Sequence, residues 1–147
     1  AAYAAYNMLS STEKQYVTNF ATLQEAKNNA DSVQTVISKI AGISPTSRNY
    51  AEQVAEALAM YNSLPSAVRK LVTNYDALKS SQKEADTVDK VRQLISEINL
   101  NASNFESKLK SARSAYDKLS TQQKRLVSNY FLLEDYEAQL NNSSFFF

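Results

Sequence analysis

A chain of 147 residues with 44% apolar and 21% charged side chains has the composition of a folded protein. Its 16 basic and 15 acidic residues leave no bulk charge to recruit nucleic acid or an anionic membrane. The absence of Cys and His excludes disulfides, thiolate nucleophiles and Cys-ligated metals, together with the commonest general base and transition-metal ligand.

One Gly and two Pro are too few for a turn-rich sheet protein, and no apolar run approaches the roughly 20 residues that span a bilayer. The chain is expected to be all-α. Its dominant signal is self-similarity, a 55-residue period that carries Tyr6 onto Tyr61 and Tyr61 onto Tyr116. Tyr6-Asn7-Met8-Leu9 returns as Tyr61-Asn62-Ser63-Leu64 and as Tyr116-Asp117-Lys118-Leu119. Val17-Thr18-Asn19-Phe20 returns as Val72-Thr73-Asn74-Tyr75 and Val127-Ser128-Asn129-Tyr130, followed at the same distance by Leu23, Leu78 and Leu133. Ala30-Asp31 matches Ala85-Asp86, and Val33, Val36, Ile40 and Ile43 match Val88, Val91, Ile95 and Ile98.

In chain order, residues 1–30 read as a partial repeat, holding the end of a second helix and a third helix. Residues 31–85 and 86–140 read as two complete units, and 141–147 as an atypical tail ending in Phe145-Phe146-Phe147. In the last unit the stripe Val88, Val91, Ile95 and Ile98 predicts a first helix, with Asp86 as its N-cap. Leu109, Ala112, Tyr116 and Leu119 predict a second, opened by Ser103-Asn104-Phe105-Glu106 as a capping box. Leu126, Val127, Tyr130 and Leu133 predict a third, after Ser120-Thr121; the same junction one unit earlier is Leu64-Pro65-Ser66, a stop followed by a start. Each stripe covers one face, so three helices surrounding a small core are expected. The whole is then a set of tandem three-helix-bundle repeats with the 55-residue period, forming an elongated array. Between Leu71 and Ile98 neither Gly nor Pro occurs, and apolar spacing of three and four persists. That pattern favours a stiff helical or tightly turned join, although Ser80-Ser81 and Asp86-Thr87 have the chemistry to stop and recap a helix.

Few residues offer chemistry. The recurring aromatics, Tyr6, Tyr61 and Tyr116 with Phe20, Tyr75 and Tyr130, suit a carbohydrate-stacking ladder in principle, but they lie on the apolar stripes and are expected to pack. Asn19, Asn74 and Asn129 make either a polar binding row or, the favoured reading, structural ties to loop backbone or a neighbouring helix. Arg69-Lys70 and Lys124-Arg125 open the third helix as short basic pairs, candidate contacts for an anionic polymer weighed against a solvated face. Gly42 is the sole glycine, so no Gly-rich phosphate loop exists, and the carboxylates are scattered. No catalytic residue, cofactor or metal site is expected, and the chain is read as a non-enzyme.

The strings Ala112-Arg113-Ser114-Ala115-Tyr116-Asp117-Lys118-Leu119 and Gln123-Lys124-Arg125-Leu126-Val127-Ser128-Asn129-Tyr130 resemble a helical repeat of large surface, S-layer-associated and cell-wall proteins of Gram-positive bacteria. That repeat is written AR-x-AY-x-x-L followed by QK-x-LV-x-N. The resemblance covers residues 1–140, with Tyr3 in place of the Arg in the first copy and Met60 in place of the second Ala in the next. It implies an extracellular location at the bacterial surface or cell wall, and a spacer, stalk or lattice role, read as a stalk, S-layer or filament building block. Because Ala1 corresponds to Ser111 in the middle of a predicted helix, association with neighbouring repeats or head-to-tail with itself is a further expectation. A cell-wall polymer or glycan-binding helical module is the alternative, with Arg69, Lys70, Lys124 and Arg125 as its contacts. Neither nucleic acid nor a membrane span enters either reading.

Overall fold

The computed structural model describes residues 1–144, and the expectation for Phe145–Phe147 lies outside them. The described residues are all-helical, with no strand. In chain order the helices are α1 (Ala2–Asn7), α2 (Ser11–Lys14), α3 (Phe20–Ala41), α4 (Tyr50–Ser63), α5 (Ser66–Arg69), α6 (Tyr75–Ser96), α7 (Phe105–Asp117), α8 (Thr121–Leu126) and α9 (Tyr130–Ser144). They separate into two units: Ala1–Gly42 with Glu56–Leu78, and Ile43–Ala55 with the chain from Lys79 onward.

In the first unit α3 packs against α1 and α5. Its buried apolar residues are Val33, Val36 and Ile40 from α3 with Ala57, Leu64, Val72 and Leu78. In the second unit Val88, Val91, Ile95, Ile98, Leu109, Ala112, Leu119, Val127 and Leu133 form one cluster, and α7 packs along α9. Phe105, Tyr116, Leu126 and Tyr130 are half-buried against it. Nearly every member of these two sets has its counterpart one repeat period away, which is how one sequence pattern generates two cores.

Three local expectations are corrected. Asp86 is not an N-cap: α6 runs unbroken through Ser80-Ser81 and Asp86-Thr87, just as α3 runs through Asp31. Continuous burial of Ala85, Val88, Val91 and Ile95 on one face outweighs the weak capping preference of a solvent-facing Asp, because helix stability in a folded protein comes chiefly from packing of the apolar face. Of the two joins the spacing favoured, helical or tightly turned, the chain forms the helical one between Tyr75 and Ser96.

Second, Ser103-Asn104-Phe105-Glu106 makes no capping box. Helix α7 starts at Phe105, and the side chain of its N-cap, Asn104, makes no cap hydrogen bond. The boxes lie instead at the short helices. The Ser10 N–H donates to Glu13 Oε2 at 2.8 Å while the Glu13 N–H donates to Ser10 Oγ at 3.2 Å. The Ser120 N–H donates to Gln123 Oε1 at 2.9 Å and the Gln123 N–H to Ser120 Oγ at 3.2 Å. Each box satisfies two amides that a helix start otherwise leaves open.

Third, the stripe Leu126, Val127, Tyr130, Leu133 is not one helix. Helix α8 ends at Leu126, Val127 departs from helical geometry at ψ 88°, and α9 begins at Tyr130. Val, Ser and Asn in succession are weak helix formers, and the break lets Asn129 reach across to another helix while Val127 and Leu133 both stay buried.

The sole glycine makes no conformational demand. Gly42 sits at φ −83° at the end of α3, and a Cβ there would meet only ordinary contacts. Its counterpart one unit on is Glu97.

Candidate functional site

The recurring polar and aromatic residues converge at one place in each copy, where the middle helix, the short helix and the start of the next long helix meet. Tyr6 stacks on Phe20 with centroids 4.0 Å apart, Tyr61 on Tyr75 at 4.1 Å, and Tyr116 on Tyr130 at 4.3 Å, with interplanar angles of 16°, 10° and 16°. All six rings are half-buried. A cation from the short helix covers the first ring of each pair: Lys14 over Tyr6 at 5.3 Å, Arg69 over Tyr61 at 5.9 Å and Lys124 over Tyr116 at 5.5 Å. A ring stacked on one face and covered by a cation on the other has little face left for a sugar.

The basic pairs divide in the same way in both complete copies. Arg69 is half-buried; its Nε donates to the Leu64 carbonyl at 3.0 Å and its Nη2 to the Asn62 carbonyl at 2.5 Å. Those are carbonyls at the end of α4, so the guanidinium closes a helix C-terminus whose following helix opens with Pro65 instead of a serine box. Lys124 is half-buried over Tyr116. Lys70 and Arg125 are exposed. Of the four residues predicted as polymer contacts, the structure turns two inward as packing groups and leaves two on the surface.

The asparagines act across helices. Asn74 Nδ2 donates to the Ile37 carbonyl at 2.9 Å, and Asn129 Nδ2 donates to the Arg92 carbonyl at 2.9 Å. Both acceptors lie inside long helices, where the carbonyl's second lone pair takes the extra bond. The Oδ1 atoms of both asparagines are buried without a hydrogen-bond partner.

Sequence reasoning missed an interhelical pair at positions whose chemistry changes from copy to copy. Arg113 and Glu137 form a two-pronged ion pair between α7 and α9, Nε to Oε1 at 2.6 Å and Nη2 to Oε2 at 2.5 Å, with side chains 27% and 32% exposed. The guanidinium also lies 5.5 Å from the Tyr116 and Tyr130 ring centroids. The Glu137 hydrogen bonds hold the Arg113 pKa above its ordinary value. At the matching positions in the first copy stand Tyr3 and Lys27, which pair as a cation over a ring at 5.1 Å. One copy later the positions hold Leu58 and Gln82.

Tyr50 and Ser81 behave similarly. Tyr50 is 1% exposed, and its hydroxyl donates to the Ser81 carbonyl and the Glu84 carboxylate, each at 3.1 Å. Burial pushes the phenol pKa up. One unit on, Phe105 has lost the hydroxyl and meets Tyr136 edge-on at 6.1 Å. The signal was present in the sequence as paired changes at a fixed offset, visible only once helix contacts fix which positions pair.

A groove between α6 and α7 of about 670 Å³ has Val91, Leu94 and Leu119 among its lining and carries Lys90, Lys110 and Lys118. Among the described residues no cluster of carboxylates is arranged to hold a metal ion, and no helix is long and apolar enough to cross a membrane. The chain matches no family model, and neither curated proteins nor solved structures include a match to it.

Proposed function

We propose that this chain is a structural repeat segment of an extracellular bacterial surface protein, built from tandem three-helix units that act as a stalk, S-layer or filament building block. The observation that carries this reading is the recurrence of one packing geometry at one sequence interval. Three stacked ring pairs, each covered by a cation from the short helix, recur at 55-residue spacing. Two asparagine ties do likewise. A reaction needs one singular constellation, whereas here the patterned polar groups repeat and are engaged in holding helices together. The surface location comes from the sequence resemblance.

The experiment is a pull-down of the intact chain on purified cell-wall polymer, comparing the native protein with a variant carrying Lys70→Glu and Arg125→Glu. A building block retains its fold and shows no charge-dependent retention. Retention of the native chain that the variant loses would establish the polymer-binding module instead.

A further inference from the structure

The trough between the long helix and the middle helix is present in both complete copies, and its chemistry differs between them. Between α3 and α4 it has about 240 Å³, with Val36, Met60 and Leu64 in its lining and Thr35 and Ser63 beside them. Between α6 and α7 it has about 670 Å³, and Val91, Ala115 and Leu119 stand at the corresponding positions. One exchanged pair accounts for much of the widening. In the smaller trough's copy Lys39 of α3 and Glu56 of α4 form an ion pair between the two helices at 2.5 Å. Their counterparts one period on are Leu94 and Ser111, which carry no charge to bridge the helices, and both line the larger trough.

The electrostatics change with the size. Thr35, Ala55 and Ser63 have Lys90, Lys110 and Lys118 as counterparts, and no carboxylate of the described residues lines the larger trough. Lys110 is held by Glu106 at 2.6 Å, while Lys90 and Lys118 make no ion pair among the described residues. Thr35 and Ser63 line one space in the smaller trough, a register that puts Lys90 and Lys118 at the same end of the larger one. Beyond them the floor is apolar, with Val91 and Leu119 buried and Leu94 and Ala115 half-buried.

The dimensions suit a small molecule better than a protein partner. Lys110 and Lys118 stand about 12 Å apart along the helix axis at about 1.5 Å of rise per residue, and packed helices lie about 8–10 Å apart. The resulting footprint of roughly 100 Å² is far below the ~800 Å² that each partner of a stable protein complex buries. The volume, by contrast, falls within the ~300–1,000 Å³ of small-ligand clefts.

We propose that the α6–α7 trough binds a small anionic amphiphile, an aliphatic chain ending in one carboxylate, sulfonate or phosphate group. The head group sits at the end bearing Lys90 and Lys118, where two ammonium groups offer charge-assisted hydrogen bonds. The chain lies over Leu94, Ala115 and Leu119, out of water. The site goes beyond the structural role proposed above and stands whether the chain is a building block or a polymer-binding module.

The test is an NMR titration of the intact, isotope-labelled chain with sodium decanoate below its aggregation concentration. Saturable shifts are expected at Val91, Leu94, Ala115 and Leu119, while Val36, Met60 and Leu64 of the smaller trough stay unmoved as an internal reference. Decyltrimethylammonium, equal in chain length and opposite in charge, gives no saturable shift. Lys90→Gln with Lys118→Gln weakens binding about tenfold or more. Leu94→Lys with Ser111→Glu, which installs the smaller trough's ion pair, abolishes binding while the circular dichroism stays native. Equal shifts in both troughs, equal binding of the cationic surfactant, or binding that survives either double variant would overturn the proposal. So would the absence of saturable binding, or a preference for an acidic amphipathic helix of leucines and glutamates over decanoate, which would assign the trough to a protein partner.

Discussion

The sharpest energetic consequence of the repeat is that one substitution should have different costs at equivalent positions. Leu133 is 0% exposed inside the second unit's cluster, and Leu78 is 0% exposed in the first unit, whereas Leu23 is half-buried. Changing Leu133 to Ala removes three carbons, about 2.4 kcal/mol of transfer free energy at about 0.8 kcal/mol per carbon. The surrounding side chains collapse only partly, and the residual cavity brings the loss to about 3 kcal/mol. At Leu23 about half of the transfer term is already forfeited to water and no closed cavity forms, so the loss is about 1 kcal/mol. Urea denaturation followed by circular dichroism measures each loss, with native-state hydrogen exchange assigning it to a unit because two units need not unfold together. Equal losses at Leu23 and Leu133, or a loss below about 1 kcal/mol at Leu133, would refute the burial argument.

The Arg113–Glu137 pair should show a coupling energy of about 1–2 kcal/mol in a double-mutant cycle, since it is two-pronged and less than one-third exposed. Arg113→Lys should forfeit most of that coupling, because an ammonium cannot make the fork. Asn129→Ala should destabilise by about 1 kcal/mol through loss of the bond to the Arg92 carbonyl, measured by the same denaturation midpoint. Tyr50→Phe should cost about 1 kcal/mol near neutral pH, measured by thermal melting. Because burial raises the Tyr50 pKa, the folded state binds that proton more tightly than the unfolded state. Its contribution is present below about pH 10 and declines as pH rises beyond it, so melts from about pH 9 to about pH 11.5 should show a shallower alkaline loss in Tyr50→Phe than in the native chain.

Much of the fold was legible because packing sets both period and phase. The stripes Val33 to Ile40 and Val88 to Ile98 announced buried helix faces, and the gap-free run across Ala85-Asp86 favoured a helical or tightly turned join, of which the chain forms the helical one. What failed was local punctuation. Asp86 and the Ser103–Glu106 string have the composition of caps, yet the apolar face of α6 carries its helix through the first and the chain enters α7 without using the second. The break at Val127 was hidden because its flanking apolar residues keep helical spacing on either side of it.

The candidate site was legible by position more than by role. The six aromatics were correctly placed on packing faces, but a sequence read one residue at a time does not reveal that Arg69 closes the end of α4 or that Lys124 covers Tyr116. The Arg113–Glu137 and Tyr3–Lys27 equivalence depends on knowing that the middle helix lies against the beginning of the next long helix, a fact of tertiary packing.

The proposed function rests on a 55-residue packing unit repeated in tandem. Small-angle X-ray scattering on chains extended by one, two and three in-phase copies of residues 31–85 tests it most directly. The account predicts a maximum dimension that grows by the same increment with each added unit. Growth following roughly the cube root of mass, as for a single globule adding to one core, would contradict it.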